Sequence, residues 1–187
     1  MEWLNEPPQW REQDGVLAVI TGARTDFWRE TYYGFVRDDG HLRFARVSGD
    51  FSAEATVAGD YRELYDQAGL MLRVDERHWI KAGIEYVGSR RLLSVVVTRE
   101  RSDWSTVPAF EAPDPVRLRL SRHGTAVRVE WAPGGEERYA MLRLAYLPTG
   151  DGPALVGPMC CSPERAGFAA RFSEVRIGEP IARELPV

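Results

Sequence analysis

Between residues 17 and 177 the apolar positions recur every second residue in short runs, and no stretch holds a 3.6-residue period for three turns. Such alternation predicts strands, because successive side chains of an extended chain point to opposite faces. Eleven are expected, over residues 17–21, 32–36, 42–47, 52–57, 68–74, 78–87, 92–99, 116–122, 126–131, 139–146 and 168–177. Turn chemistry separates them: Asp38-Asp39-Gly40, Ser48-Gly49-Asp50, Ala58-Gly59-Asp60, His123-Gly124 and Pro133-Gly134-Gly135. Gly reaches positive φ there and Asp accepts local backbone N–H groups. Short connections imply antiparallel neighbours, and so many strands exceed one comfortable open sheet. The expected fold is all-β, an antiparallel two-sheet sandwich of the jelly-roll type around a shared core. Pro108, Pro113 and Pro115 break the alternation over residues 107–115, which reads as a crossover from one sheet to the other.

Length changes this picture little: 187 residues suit a single domain spanning 1–187, with no internal repeat. Composition removes some functions. At 44% hydrophobic and 28% charged residues the chain folds rather than staying disordered. A net charge of −4 and a pI near 5.5 argue against a nucleic acid partner, which needs a dense basic surface. No apolar run approaches the roughly 20 residues of a membrane helix, and the first eight residues lack a signal-peptide pattern. The expectation is therefore a cytoplasmic protein with no membrane partner. Cys160 and Cys161, being adjacent, bridge each other only with strain and are expected as free thiols. His41, His78 and His123 have no ligand spacing, so neither a metal nor a cofactor is expected.

Strand parity assigns side chains to faces. In the run from Trp79 to Tyr86, Ile80, Ala82, Ile84 and Tyr86 share one face, and Trp79, Lys81, Gly83 and Glu85 the other. The first set belongs in the core. The second puts an indole, an ammonium, a bare glycine and a carboxylate at spacings of about 7 Å, which suits either a groove floor with a dip at Gly83 or a solvated outer face. An antiparallel neighbour over residues 68–74 places Gln67, Met71 and Arg73 on the Lys81 and Glu85 face, while Asp66 and Gln67 could equally satisfy turn backbone. Asp26 beside Trp28 and Asp103 beside Trp104 each set a carboxylate next to an indole in a loop. That pairing suits sugar stacking with hydroxyl recognition at the rim of such a groove, or a plug at the end of the sandwich. The candidate ligand-binding residues are thus Gln67, Trp79, Lys81, Glu85, Asp103, Trp104, Asp26 and Trp28.

Catalytic constellations are sparse. The chain has no Glu-x-Asp-x-x-Glu run that would set two carboxylates on one strand face, no Gly-x-Ser-x-Gly elbow and no Gly-rich phosphate loop. Catalytic residues are therefore left unassigned.

Five runs in order, Thr-Asp-Phe-Trp-Arg at 25–29, Tyr-Asp-Gln-Ala-Gly-Leu-Met at 65–71, Trp-Ile-Lys-Ala-Gly-Ile-Glu at 79–85, Ser-Asp-Trp-Ser at 102–105 and Gly-Pro-Met-Cys-Cys-Ser-Pro at 157–163, resemble domain-of-unknown-function family 1349. The resemblance runs from about residue 10 to 177. It implies a concanavalin A-like sandwich of the lectin and glucanase type, whose ligand face is the concave sheet. Related domains stand beside catalytic domains in xylan-degrading enzymes. A fainter likeness links Trp79-Ile80-Lys81-Ala82-Gly83 to a strand of sandwich alginate lyases, whose Gln-x-His is missing here because Gln67 is followed by Ala68 and Gly69. The leading expectation is a carbohydrate or small-metabolite binding sandwich. The alternatives are an enzyme on sugars or uronates, lyase or hydrolase, with Lys81 neutralising a substrate carboxylate, and a non-catalytic protein partner that modulates a metabolic enzyme, as the resemblance suggests.

Overall fold

The structure is a computed structural model and describes residues 1–185. Its strands are β1 (Glu2–Leu4), β2 (Gln9–Gln13), β3 (Val16–Ile20), β4 (Phe27–Arg29), β5 (Val36–Asp38), β6 (His41–Val47), β7 (Phe51–Gly59), β8 (Gln67–Arg73), β9 (His78–Val87), β10 (Arg90–Arg99), β11 (Arg101–Val107), β12 (Val116–His123), β13 (Ala126–Pro133), β14 (Ala140–Tyr146), β15 (Ala154–Cys161) and β16 (Ala169–Gly178). They form two seven-stranded antiparallel sheets, β1-β6-β15-β8-β9-β10-β11 and β14-β13-β12-β7-β16-β3-β2, with β4 and β5 as a separate hairpin. This is the expected all-β jelly-roll sandwich. Residues 107–115 carry the chain from β11 in the first sheet to β12 in the second, as the prolines indicated.

The facing sides of the two sheets make the main core. Leu70, Leu72, Ile80, Ala82, Ile84, Val95 and Val97 of the first sheet are fully buried against Leu118, Leu120, Val127, Val129 and Phe172 of the second. Each large side chain among them contributes roughly 1.5–3 kcal/mol by leaving water. Two local devices fix the register of the central strands. Asp75 accepts the backbone N–H groups of Arg77 and His78 at 2.7 and 2.8 Å, closing the β8–β9 hairpin. Gly88 and Ser89, at φ 59° and 61°, form the two-residue β9–β10 turn that right-twisted strands favour.

The outer side of the first sheet carries a second apolar cluster, built from Phe27, Trp28, Leu42, Phe44, Met71, Trp79, Val96, Met159 and Cys161. The β4–β5 hairpin supplies its lid. Gly40 makes that closure possible, because a Cβ there would sit 2.4 Å from the Phe27 ring and 2.6 Å from Cys161 Sγ. Cys160 faces the main core and Cys161 the second cluster; both are free and buried.

Several elements differ from expectation. Residues 32–35 are not a strand but a tight loop, and β5 begins only at Val36, with Glu30, Tyr32 and Gly34 at φ 59°, 65° and 72°. Its apolar Tyr32, Tyr33 and Phe35 gave a false alternation. Residues 102–105, expected as a loop, lie within β11, where Ser102 turns inward and Asp103 outward; serine and threonine at the inward positions hid the period. β15, with Gly157 and Pro158 inside it, runs between β6 and β8 in the middle of the sheet. A segment buried on both faces has no alternation to read.

Candidate functional site

Next to the second cluster, the outer face of the first sheet opens as a cleft between the β4–β5 hairpin and the strands β9 to β11. Lys81, from the middle of β9, is buried and donates from Nζ to Asp26 Oδ1 at 2.9 Å. Asp26 precedes β4 and is held by its backbone: its N–H donates to Asp39 Oδ1 at 2.8 Å, and its C=O accepts from Asp39 and Gly40. Its Oδ1 also accepts the Phe27 N–H at 2.8 Å. Four residues along β9, Glu85 Oε2 accepts from Ser94 Oγ at 2.7 Å and Trp104 Nε1 at 2.9 Å. An ammonium thus stands beside two carboxylates on the floor. Glu85 Oε1 and Asp26 Oδ2 have no hydrogen-bond partner among the described residues and are not sealed from solvent.

Burial governs the electrostatics. It pushes the Glu85 carboxyl above the usual carboxylate range, against the opposing pull of Lys81 and the hydrogen bonds from Ser94 and Trp104. Burial alone would lower the Lys81 ammonium, but the charge of Asp26, with Cys161 and Glu85 adding to it, outweighs that effect and leaves its pKa raised. Above this floor the walls are aromatic: Trp28, Tyr33, Phe35, Tyr65 and Trp104, with Arg37 and Glu164 also lining the cleft. The volume is about 110 Å³, room for several waters at roughly 10–15 Å³ each. Tyr33 and Tyr65 share a hydroxyl hydrogen bond of 2.6 Å, which ties the hairpin to the segment before β8. Burial and that bond raise the Tyr65 phenol. Two wider hollows, of about 320 and 400 Å³, lie elsewhere, and neither has a buried charged residue in its lining.

Of the eight residues singled out from the sequence, Asp26, Trp28, Lys81, Glu85 and Trp104 line this cleft. Gln67 lies just behind it, reaching Tyr65 C=O at 3.1 Å and Asp26 Oδ1 at 3.4 Å. Trp79 is not part of the floor: the hairpin covers it, and its ring packs 6.2 Å from Phe27. Asp103 is not at the rim either, because β11 parity turns it away from Trp104, toward Arg143. Gly83 does leave a small hollow between Lys81 and Glu85, of about 10 Å³, which Gln67, Ser94 and Met159 also line. It pairs with Gly69, and Cβ atoms on the two would meet Ala68 O at 2.1 Å and Ala82 O at 1.9 Å, so both glycines let β8 and β9 approach. Arg73, expected beside Lys81, pairs instead with Asp38 through Nη2 at 2.7 Å. Asp66 serves the turn: it accepts the N–H groups of Arg62 and Glu63 and binds Arg165. Tyr33, Phe35, Arg37, Tyr65, Ser94 and Glu164 were missed. Ser94 alone had a usable signal, since the Gly88-Ser89 turn sets it opposite Gly83. No group of side chains among the described residues has the arrangement to hold a metal ion.

A curated relative from Saccharomyces cerevisiae, "Regulation of enolase protein 1", is 40% identical over 98% of this chain and 91% of its own. A solved structure of a functionally unknown protein from Saccharomyces cerevisiae, also 40% identical, superposes with a TM-score of 0.90 over 97% of both chains. Carbohydrate binding module CBM66 from Bacillus subtilis shares the fold at 13% identity, with a TM-score of 0.57 over 95% of both chains. The model of a family described as "Protein of unknown function (DUF1349)" matches residues 3–180, and the chain belongs to that family.

Proposed function

We propose that the cleft binds an uncharged saccharide. The observation that carries this is the floor: one ammonium beside two carboxylates, each with an oxygen left free, beneath aromatic walls. Neighbouring sugar hydroxyls both donate and accept, so a diol can give protons to Glu85 Oε1 and Asp26 Oδ2 while taking one from Lys81. The apolar face of a sugar ring suits the tryptophans, and a mostly aromatic pocket with a few convergent polar groups is the usual form of a small-molecule site. Charge selects against anions. Asp26, Glu85 and Glu164 outnumber Lys81 and Arg37 in the lining, and Lys81 already has its counter-charge in Asp26. A uronate or sugar phosphate would add a negative charge that only Arg37 stands free to offset, which also weakens a lyase reading built on Lys81. The fold of a carbohydrate binding module supports the proposal by analogy.

A thermal-shift screen tests it, because a ligand that binds only the folded state raises the melting temperature by mass action. Xylose, arabinose, glucose and fructose are compared with glucuronate and glucose 6-phosphate. At least one neutral sugar is expected to raise the melting temperature, and the anions to leave it unchanged. Stabilisation by the anions alone would overturn the proposal. Stabilisation by no sugar would favour a protein partner, the reading to which the yeast relative's name points.

A further inference from the structure

Tyr32 sits at the tip of the loop between β4 and β5 and is 93% exposed. Two costs are concentrated there. A large ring is left in water, and a bulky residue is held at φ 65°, a conformation in which a Cβ crowds the following carbonyl and glycine or asparagine is cheaper. The loop is closed by backbone bonds of 2.7 Å from Glu30 N–H to Phe35 C=O, from Gly34 N–H to Glu30 C=O and from Tyr33 N–H to Thr31 C=O. Trp28 Nε1 donates to Thr31 C=O at 3.0 Å, and Arg101 pairs with Glu30 at 3.0 Å. The ring is therefore presented from a fixed tip.

Packing does not account for it. Among the described residues the one aromatic contact of Tyr32 is edge-on to Tyr33, with centroids 5.0 Å apart and planes at 86°. Another exposed tyrosine, Tyr146, carries the Arg99 guanidinium 5.8 Å from its ring centroid; among the described residues no cation stands over Tyr32. Tyr33 is itself a wall of the cleft, with Phe35 stacked 5.5 Å from it at 20°, so the Tyr32 ring packs edge-on against a residue that lines the site. Strain and exposure kept together beside a binding cleft are best explained by use.

We infer that Tyr32 is a second stacking subsite, so that the ligand is an oligosaccharide with one ring in the cleft and the next lying on this tyrosine. The inference rests on the saccharide reading of the cleft and adds length to it. Tyr32 acts as a specificity residue: it distinguishes a chain from a single ring and leaves recognition of the first ring to the floor. The occupied face is the outward one, which protein atoms leave bare.

The test uses the full chain and two variants, Tyr32→Ala and Tyr32→Gly, on an array of neutral mono- to tetrasaccharides, followed by calorimetric titration. Wild type should bind at least one di- or trisaccharide about tenfold more tightly than its own monosaccharide. Both variants should lose that increment and keep the monosaccharide affinity. Tyr32→Gly should melt no lower than wild type, since glycine adopts the tip conformation without strain. A length preference unchanged in both variants, or no gain with length in wild type, overturns the subsite and leaves the cleft standing. Binding of no neutral glycan at all overturns the cleft reading, and the subsite falls with it.

Discussion

Replacing Lys81 by methionine probes the floor most severely. The ammonium is buried, 2.9 Å from Asp26, and the Glu85 carboxyl is buried on the same strand face. Methionine fills the aliphatic volume but strands Asp26 with no cation. Breaking a buried pair from one side costs about 3–5 kcal/mol, because an uncompensated charge stays behind. In a domain of this size each kcal/mol moves the melting temperature by roughly 2–4 °C, so the expected drop is about 6–20 °C. Read from the sequence alone, Lys81 on an open groove floor should be replaceable at little cost, and a large loss should instead mark a buried network and count against a ligand contact; its burial against Asp26 makes the large loss the expectation here. The second half of the test is the partner. Asp26→Asn keeps the oxygen that accepts the Phe27 N–H and removes the charge, so Lys81→Met/Asp26→Asn should recover more than half of the loss. Scanning calorimetry of wild type, both single variants and the double variant gives the coupling directly. A Lys81→Met melting temperature within about 3 °C of wild type, or a double variant showing only the sum of the single losses, would refute the buried pair.

Glu85→Gln removes the other carboxylate. The raised Glu85 pKa means that its contribution to stability is present below its ordinary pKa near 4.5 and is lost as pH rises through the folded value. The variant should therefore melt at or above wild type at pH 7.5 and lose that advantage at pH 4; a variant that is less stable at pH 7.5 counts against a carboxylate burdened by burial. His41 has the opposite sign: burial lowers its pKa, while Nε2 accepts the Gly22 N–H at 3.0 Å. Its contribution is complete above pH 6.5 and falls as pH drops from 6.5 through the folded value. Urea midpoints should decline over that window in wild type and stay level in His41→Asn, and a decline of equal size in both would remove His41 as the cause. Gly69→Ala and Gly83→Ala should each cost at least the upper part of the roughly 1–3 kcal/mol of an overpacked site, because the added Cβ meets backbone. Chemical denaturation that finds either variant as stable as wild type would contradict the close approach of β8 and β9.

Parity carried the sequence reading where one face of a strand is apolar and the other is not. On β9, Ile80, Ala82 and Ile84 went to the core and Lys81 and Glu85 to the opposite face, as the structure has them. Parity could not tell whether that second face is wet. The cover comes from the β4–β5 hairpin, about 40 to 50 positions earlier in the chain, and Trp79 disappeared beneath it for that reason. The same limit explains the missed walls: Tyr33, Phe35 and Tyr65 reach the cleft from loops, where side-chain direction follows from positive φ values and local hydrogen bonds rather than from a period. Asp26 and Trp28 were found by composition, as a carboxylate beside an indole. The identical argument applied to Asp103 failed because residues 101–107 are a strand, in which neighbours point apart.

The most direct test of the cleft is a titration of ¹⁵N-labelled protein with neutral monosaccharides and with glucuronate, following the indole N–H signals. Trp104 Nε1 is bonded to Glu85, the acceptor proposed to meet a sugar hydroxyl, and Trp28 lines the opposite wall; Trp131 packs against the main core and serves as a control. A neutral sugar is expected to shift the Trp104 and Trp28 signals saturably while Trp131 stays fixed, with glucuronate much weaker. Glucuronate binding more tightly than every neutral sugar, or saturable binding that leaves Trp104 and Trp28 unmoved, would contradict it.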